Sequence, residues 1–97
     1  MDEIEVFKAL SNPTRVKMLT WLKDPEVHFE EGSFCSNGVC VGAIQKKSGL
    51  TQSTVSEYLS VLQRAKLIAS TRSGQWTYYK RNEETVQELS TFIKSDL

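Results

Sequence analysis

AIQKKSGLTQSTVSEYLSVLQRAKL, residues 43 to 67, divides into two short helices on either side of a tight turn. In the first, Ile44 is the apolar anchor and Lys46 and Lys47 face water. Gly49 stands where that helix ends, because glycine takes a positive φ without steric cost. Thr51 reads as an N-cap whose hydroxyl accepts from the backbone N–H of Ser53 or Thr54, so the second helix begins at about Gln52. Val55, Leu59 and Leu62 recur at steps of four and three, which puts them on one inward face, with Val61 and Leu67 beside them. Gln52, Ser53, Thr54, Ser56, Glu57 and Ser60 are left on the other side.

Those outward side chains are short hydrogen-bonding groups, not the long Glu/Lys pairs of an idle solvent face. Gln pairs bidentately with adenine, Ser and Thr meet base edges or phosphates, and Glu accepts from a cytosine amino group, so the face has the chemistry of base readout. A polar surface helix that touches nothing has the same composition, and helix-turn-helix units also occur as structural pieces. Charge distribution favours base readout. The chain is neutral overall, with 12 Lys and Arg against 12 Asp and Glu, yet residues 42 to 81 hold seven basic residues against Glu57 alone, while the segments on either side each stand at −3. Lys46, Lys47, Arg64, Lys66, Arg72, Lys80 and Arg81 thus lie on or beside the elements expected to meet DNA, as phosphate binding requires.

Working outward, DEIEVFKAL (2 to 10) forms a short amphipathic helix with Ile4 and Phe7 on its apolar side, joined by Val6 and Leu10. Ser11 or Asn12 caps a second helix with Pro13 in its first turn, where the missing N–H is no loss. Val16, Met18, Leu19, Trp21 and Leu22 give it more apolar surface than one side needs, which makes it central to the core. Arg15 on this helix braces the fold or touches phosphate. DPEVHFEEGSFCSNGVCV (24 to 41) breaks the helical pattern with Pro25, Gly32 and Gly38 and reads as a long loop, of a length that in compact domains tends to be functional or mobile. It holds both cysteines and the only histidine. After the central pair of helices, two β-prone runs flank Arg72-Ser73-Gly74-Gln75 as a hairpin with a basic tip. Asn82 or Glu83 opens a last helix in which Val86, Leu89, Phe92 and Ile93 form an apolar stripe. Ile4, Phe7 and this stripe exceed what a small core can cover, which predicts a homodimer.

GLTQSTVSEYLSVLQRAKL resembles the recognition segment of the ArsR/SmtB family of winged-helix repressors, whose pattern runs roughly Gly-Leu-Ser-Gln-x-Thr-Val-Ser-x-His-Leu-x-x-Leu-x-x-Ala-Gly-Leu. FKALSNPTRVKMLTWL is similar to the family's opening Ala-Leu-x-x-x-x-Arg-x-x-Ile-Leu through Ala9, Leu10, Arg15, Met18 and Leu19. RSGQWTYYKRN resembles its Gly-containing wing and the aromatic residues that follow. The matches run in the family's order over most of the 97 residues. Two departures stand out: Tyr58 replaces a common His, and Lys66 stands where the family usually has Gly. A lysine at positive φ costs roughly 1 kcal/mol, so the turn at Lys66 is expected to close differently.

The resemblance implies an α+β, mainly α fold: a dimeric winged helix-turn-helix of about five helices and a two-stranded β-hairpin wing. Residues 1 to 97 form one domain, with the helix-turn-helix at 43–67, the wing at 67–80 and dimerisation helices at 2–10 and 83–95. It implies a transcriptional repressor whose partners are a double-stranded DNA operator and a second copy of itself. Lys46, Gln52, Ser53, Thr54, Ser56, Glu57, Ser60 and Arg72 are the expected DNA-binding residues, Arg72 reaching phosphate or the minor groove from the wing. A winged-helix protein-interaction module that does not bind DNA is the alternative. Release by thiol oxidation or a thiophilic ligand at Cys35 and Cys40 is one regulatory reading, and no direct effector is another.

The family's two well-known metal sites lack their parts. Residues 82 to 97 contain no His, and the Cys-Val-Cys of the other site is here Cys40-Val41-Gly42. Cys35, Cys40 and His28 can still take a thiophilic ion such as arsenite, or zinc if Glu30, Glu31 or the other subunit supplies a fourth ligand. No metal is assigned and no cofactor is required; the two thiols are the candidate sensor. The turn-forming residues between them can bring their Cα atoms within the 4.4 to 6.8 Å that a disulfide spans. A single histidine and the absence of phosphate-cradling glycine motifs argue against an enzyme. No run of about 18 apolar residues and no charged-then-apolar leader are present, so no membrane partner and a cytoplasmic location are expected.

Overall fold

Helix starts in this chain are set by the residue just before them. The structure, a computed structural model, describes residues 1 to 97. It opens with α1 (Glu3–Leu10), where the Asp2 carboxylate accepts from the Glu5 N–H. Asn12 then starts α2 (Pro13–Lys23): its side-chain oxygen accepts from the Thr14 and Arg15 N–H groups at 2.9 and 3.1 Å, meeting two of the donors a helix start leaves unpaired. A single turn, α3 (Pro25–His28), leads to β1 (Phe34–Cys35) and β2 (Gly38–Cys40). α4 (Val41–Ser48) ends at Gly49 with φ 69°, and α5 (Gln52–Arg64) begins behind Thr51, whose hydroxyl accepts from the Thr54 N–H at 3.3 Å. β3 (Ile68–Ser73), β4 (Trp76–Arg81) and α6 (Glu83–Ser95) complete the chain.

One apolar cluster joins all of this. Met18 and Leu22 from α2, Ile44 from α4 and Val55, Leu59 and Leu62 from α5 meet Val6, Ala9, Val39, Leu67 and Ile68. As its composition predicts, α2 is apolar on several sides: Leu19 and Trp21 pack partly against the same cluster, while Val16 lies outside it. On α1 the buried residues are Val6 and Ala9, and Ile4 points to solvent.

Segment 24–41 is the main departure from the sequence reading. In place of a long loop it forms α3 and a hairpin in which Phe34 pairs with Val39 and Cys35 with Gly38. The hairpin then docks on β4, Val39 opposite Tyr79 and Cys40 opposite Tyr78, giving a four-stranded antiparallel sheet in the order β1-β2-β4-β3. The two-stranded wing is therefore half of a larger sheet, and α3 brings the helices to six. A strand of three residues has too little pattern of its own to be read; its stability comes from pairing with residues some forty positions away. Gly38 permits that approach. At φ 113° it lies where side chains rarely go, and an added Cβ would collide with the Tyr79 carbonyl and sit 2.9 Å from the Lys80 Cβ.

The turn after α5 closes in the family's way despite its lysine. Lys66 adopts φ 63°, its N–H donating to the Gln63 carbonyl at 2.9 Å and the Leu67 N–H to the Leu62 carbonyl at 3.0 Å, the six-to-one bond of a Schellman cap. Burial of Leu67 and Ile68 immediately afterwards holds the strained residue in place. Two substitutions of opposite sign follow. Lys66→Gly should raise the free energy of unfolding by up to about 1 kcal/mol, whereas Gly38→Ala should lower it by at least about 2 kcal/mol, both read from urea unfolding followed by circular dichroism.

Candidate nucleic-acid interface

Burial of Val55, Leu59 and Leu62 turns the opposite side of α5 to solvent. Gln52, Ser53, Ser56, Glu57 and Ser60 are all exposed on it. Thr54 is different: half-buried, its hydroxyl accepts from the Thr51 hydroxyl at 3.0 Å, within the small network that starts the helix. At the far end of α5, the Gln63 side-chain amide donates to the Ser70 hydroxyl at 3.0 Å, tying the helix to β3. The helix that carries the expected recognition residues is thus tied directly to the wing.

The seven central basic residues separate into two groups. Lys47 holds its ammonium 5.3 Å from the Trp21 ring centre and 5.7 Å from that of Phe29, two rings set edge to face, a cation–π arrangement. Lys80 donates to the Ser36 carbonyl at 3.3 Å, pinning the β1–β2 turn. Arg81 pairs with Glu83 at the start of α6, Nε to Oε2 at 2.8 Å; this hydrogen bond holds the Glu83 carboxyl below its ordinary value. Lys46, Arg64, Lys66 and Arg72 remain exposed and free of ion pairs. On the wing, the Arg72 Nε donates to the Gly74 carbonyl at 3.2 Å, which steadies an otherwise free guanidinium at the tip.

Arg15 is a brace. It donates from Nε to the Ala9 carbonyl at 2.8 Å and from Nη2 to the Lys8 carbonyl at 3.1 Å, satisfying the end of α1. Its guanidinium also lies 5.3 Å from the centre of the Tyr58 ring, and the Tyr58 hydroxyl accepts from the Asn12 side-chain amide at 3.4 Å. Tyr58, at the position where the resembling pattern has His, thus ties α5 to the start of α2. Nothing in the spacing announced this contact.

Both cysteines are free thiols, Cys35 exposed and Cys40 half-buried. Because Cys35 pairs directly with Gly38, Cys40 is its diagonal neighbour on the same face of the hairpin. Diagonal residues in such ladders stand about 7 to 8 Å apart, beyond the roughly 6.8 Å limit of a disulfide, so the intervening turn does not by itself bring the two close enough. No three His, Cys, Asp or Glu side chains converge anywhere as a metal-binding group. His28, Glu30 and Glu31 thus form no ligand set with the thiols, and no metal-dependent step is assigned.

A second surface lies on α1 and α6. Only Thr85 is buried in the thirteen residues of α6. Phe92 meets Phe7 with ring centres 6.3 Å apart, the N-terminal ammonium pairs with Glu88 at 3.6 Å, and Ile4 and Ile93 are 62% and 49% exposed.

No protein-family model matches the chain. Individual relatives do. It is 50% identical to the HTH-type transcriptional regulator YbzH of Bacillus subtilis (strain 168) over the full length of both chains. It is 32% identical to the arsenical resistance operon repressor of the same organism, over 92% of this chain and 83% of that one. The solution structure of the homodimeric winged helix-turn-helix domain of Mb0332 from Mycobacterium bovis, described as a possible ArsR-family regulator, superimposes with a TM-score of 0.67 at 25% identity, over 96% of this chain and 77% of that one. The chain belongs to the ArsR/SmtB family of winged-helix transcriptional regulators. It is a regulator of transcription and not an enzyme, and the winged-helix architecture expected from residues 43–67 is the family's own. No helix is long and apolar enough to cross a membrane.

Removal of recognition hydroxyls should affect binding without affecting the fold. The pair Ser53→Ala and Ser56→Ala should weaken binding to a duplex selected by the wild-type protein by about fivefold or more, 1 to 3 kcal/mol, with little change in the unfolding midpoint, since the Thr51–Ser53 hydroxyl contact it removes is exposed. Unchanged affinity would remove this face of α5 from the interface.

Proposed function

We propose that this chain is a cytoplasmic, homodimeric repressor that binds an operator with α5 of each protomer in successive major grooves, about 34 to 36 Å apart. The observation that carries the reading is the exposed polar stripe of α5, flanked by Lys46, Arg64, Lys66 and Arg72 and hydrogen-bonded to the wing through Gln63 and Ser70. Gln52, Ser53, Ser56, Glu57 and Ser60 read or position bases, and Thr54 orders the start of the helix. Lys46 and Arg72 contact phosphates. A phosphate contact carries no base information, so Arg72→Ala should weaken binding to selected and unrelated duplexes by the same factor. An interaction module without DNA would leave the central charge and the hydroxyl stripe without a use.

The dimer forms through α1 and α6. Val86 and Leu89 of α6 pack partly against the protomer's own core, whereas Ile4 and Ile93 supply apolar area that the protomer leaves open. The homodimeric state of Mb0332 supports a dimer. Ile93→Glu, at an exposed position, should leave the protomer folded, give monomeric mass in sedimentation and lose high-affinity operator binding. A monomeric wild-type protein would refute the arrangement.

Regulation, in this reading, acts at Cys35 and Cys40. Arsenical resistance operon repressors among the relatives make a thiophilic ligand chemically reasonable, and both thiols lie on a hairpin that pairs directly with the wing. Joining two diagonal thiols requires the hairpin to shear, and its contact with β4 passes that shear to Tyr78 and Tyr79. Peroxide or arsenite should therefore lower operator affinity of the wild type and leave Cys35→Ser unchanged, measured at fixed salt. Equal affinity in every condition, and in both proteins, would exclude these thiols as sensors.

A further inference from the structure

Trp76 is the first residue of β4 and stands opposite Ser73, the last of β3, with only Gly74 and Gln75 between them. Its side chain is 56% exposed, whereas every other aromatic residue in the chain is at least partly covered. It is not among the residues packed on the core cluster. The six residues of β4 at about 3.3 Å each separate it by roughly 17 to 20 Å from the start of α6.

The surroundings of the indole indicate what covers it. Residues 67 to 81 contain no acidic residue, and Arg72 at the tip is free of ion pairs, so the wing tip suits a polyanion. Opposed residues on paired strands project from the same face, and successive residues alternate. Trp76 and Ser73 thus leave one face of the wing tip, and Arg72 and Thr77 the other. The tip is narrow, since a two-residue turn closes it with Gly74 at φ 62°. We infer that Trp76 is a DNA contact: the wing tip enters the edge of the minor groove with the indole packed on deoxyribose rings and Arg72 on the phosphates across the ribbon. This rests on the operator-binding reading and adds a second, uncharged mode of contact to it.

The two modes differ in their response to salt. A cation on phosphate releases counterions, so its loss makes the dependence of log affinity on log salt shallower by about 0.9 per contact. An indole on sugar releases none. Trp76→Ala should therefore weaken binding to the selected duplex about tenfold or more at every potassium chloride concentration, with an unchanged slope, and Trp76→Phe should recover part of the loss. Arg72→Ala should reduce the slope. In a Trp21→Phe background, emission from the remaining indole should be quenched on titration with the duplex and level off at one duplex per dimer.

Wild-type affinity in Trp76→Ala, or unchanged emission at saturating duplex, would overturn the inference while leaving operator binding by α5 intact. A change of oligomeric mass in Trp76→Ala would also overturn it, because the indole would then be covered by a second copy of the chain. A wild-type protein that retains no duplex at low salt would overturn the operator-binding reading itself, and this inference with it. Circular dichroism of Trp76→Ala, expected to match the wild type because the side chain is exposed, separates lost contact from lost fold.

Discussion

Burial of Val55, Leu59 and Leu62 sets the rotation of α5 about its own axis, and every statement about the outward face depends on it. A helix advances about 100° per residue, so a change in which residues are buried would carry Ser53 or Ser56 out of reach of a groove. Three further contacts fix the helix lengthwise. The Thr51 cap sets its start, the Schellman turn at Lys66 its end, and the Gln63 to Ser70 hydrogen bond its relation to the wing. Tyr58 adds a fourth restraint through Arg15 and Asn12, which links the recognition helix to the junction of α1 and α2. Because α1 is also part of the proposed dimer surface, the spacing of two recognition helices would depend on this junction.

Charge in the central segment serves two purposes. Lys47, Lys80 and Arg81 hold the fold together: one over a corner of two rings, one on the turn of the added hairpin, one at the entry to α6. The remaining four stay hydrated and available to a polyanion. Net charge over residues 42 to 81 therefore overstates the number of groups that can displace counterions from a duplex, and the observed salt dependence should reflect the smaller set.

Most of the helical framework was legible because its signals are local. Asn12 before Pro13, Gly49 at a helix end and Thr51 three residues before Thr54 each act over one turn, and the structure places all three as caps. The polar stripe followed from periodicity alone. What escaped was non-local. The hairpin 34–40 exists through its pairing with Tyr78 and Tyr79, and no pattern within those residues encodes that partner. Lys66 retained a glycine's backbone conformation because buried Leu67 and Ile68 outweigh a strain of about 1 kcal/mol, a comparison that requires knowing what is buried. The expectation that Cys35 and Cys40 could meet across a turn depended on register, which places them on a diagonal.

The strand order has one consequence for the fate of the protein at high concentration. With β2 seated on one side of β4, the other side is taken by β3, whose own outer edge is unpaired. Such an edge exposes a row of backbone donors and acceptors that can recruit a strand from another molecule. Beyond Ile68 and Ala69 at its start, the edge carries Ser70, Thr71, Arg72 and Ser73, all exposed and none apolar. A hydrated edge with a cation near its tip resists growth into a continuous intermolecular sheet, so the strand that bears Arg72 also helps keep the protein from aggregating.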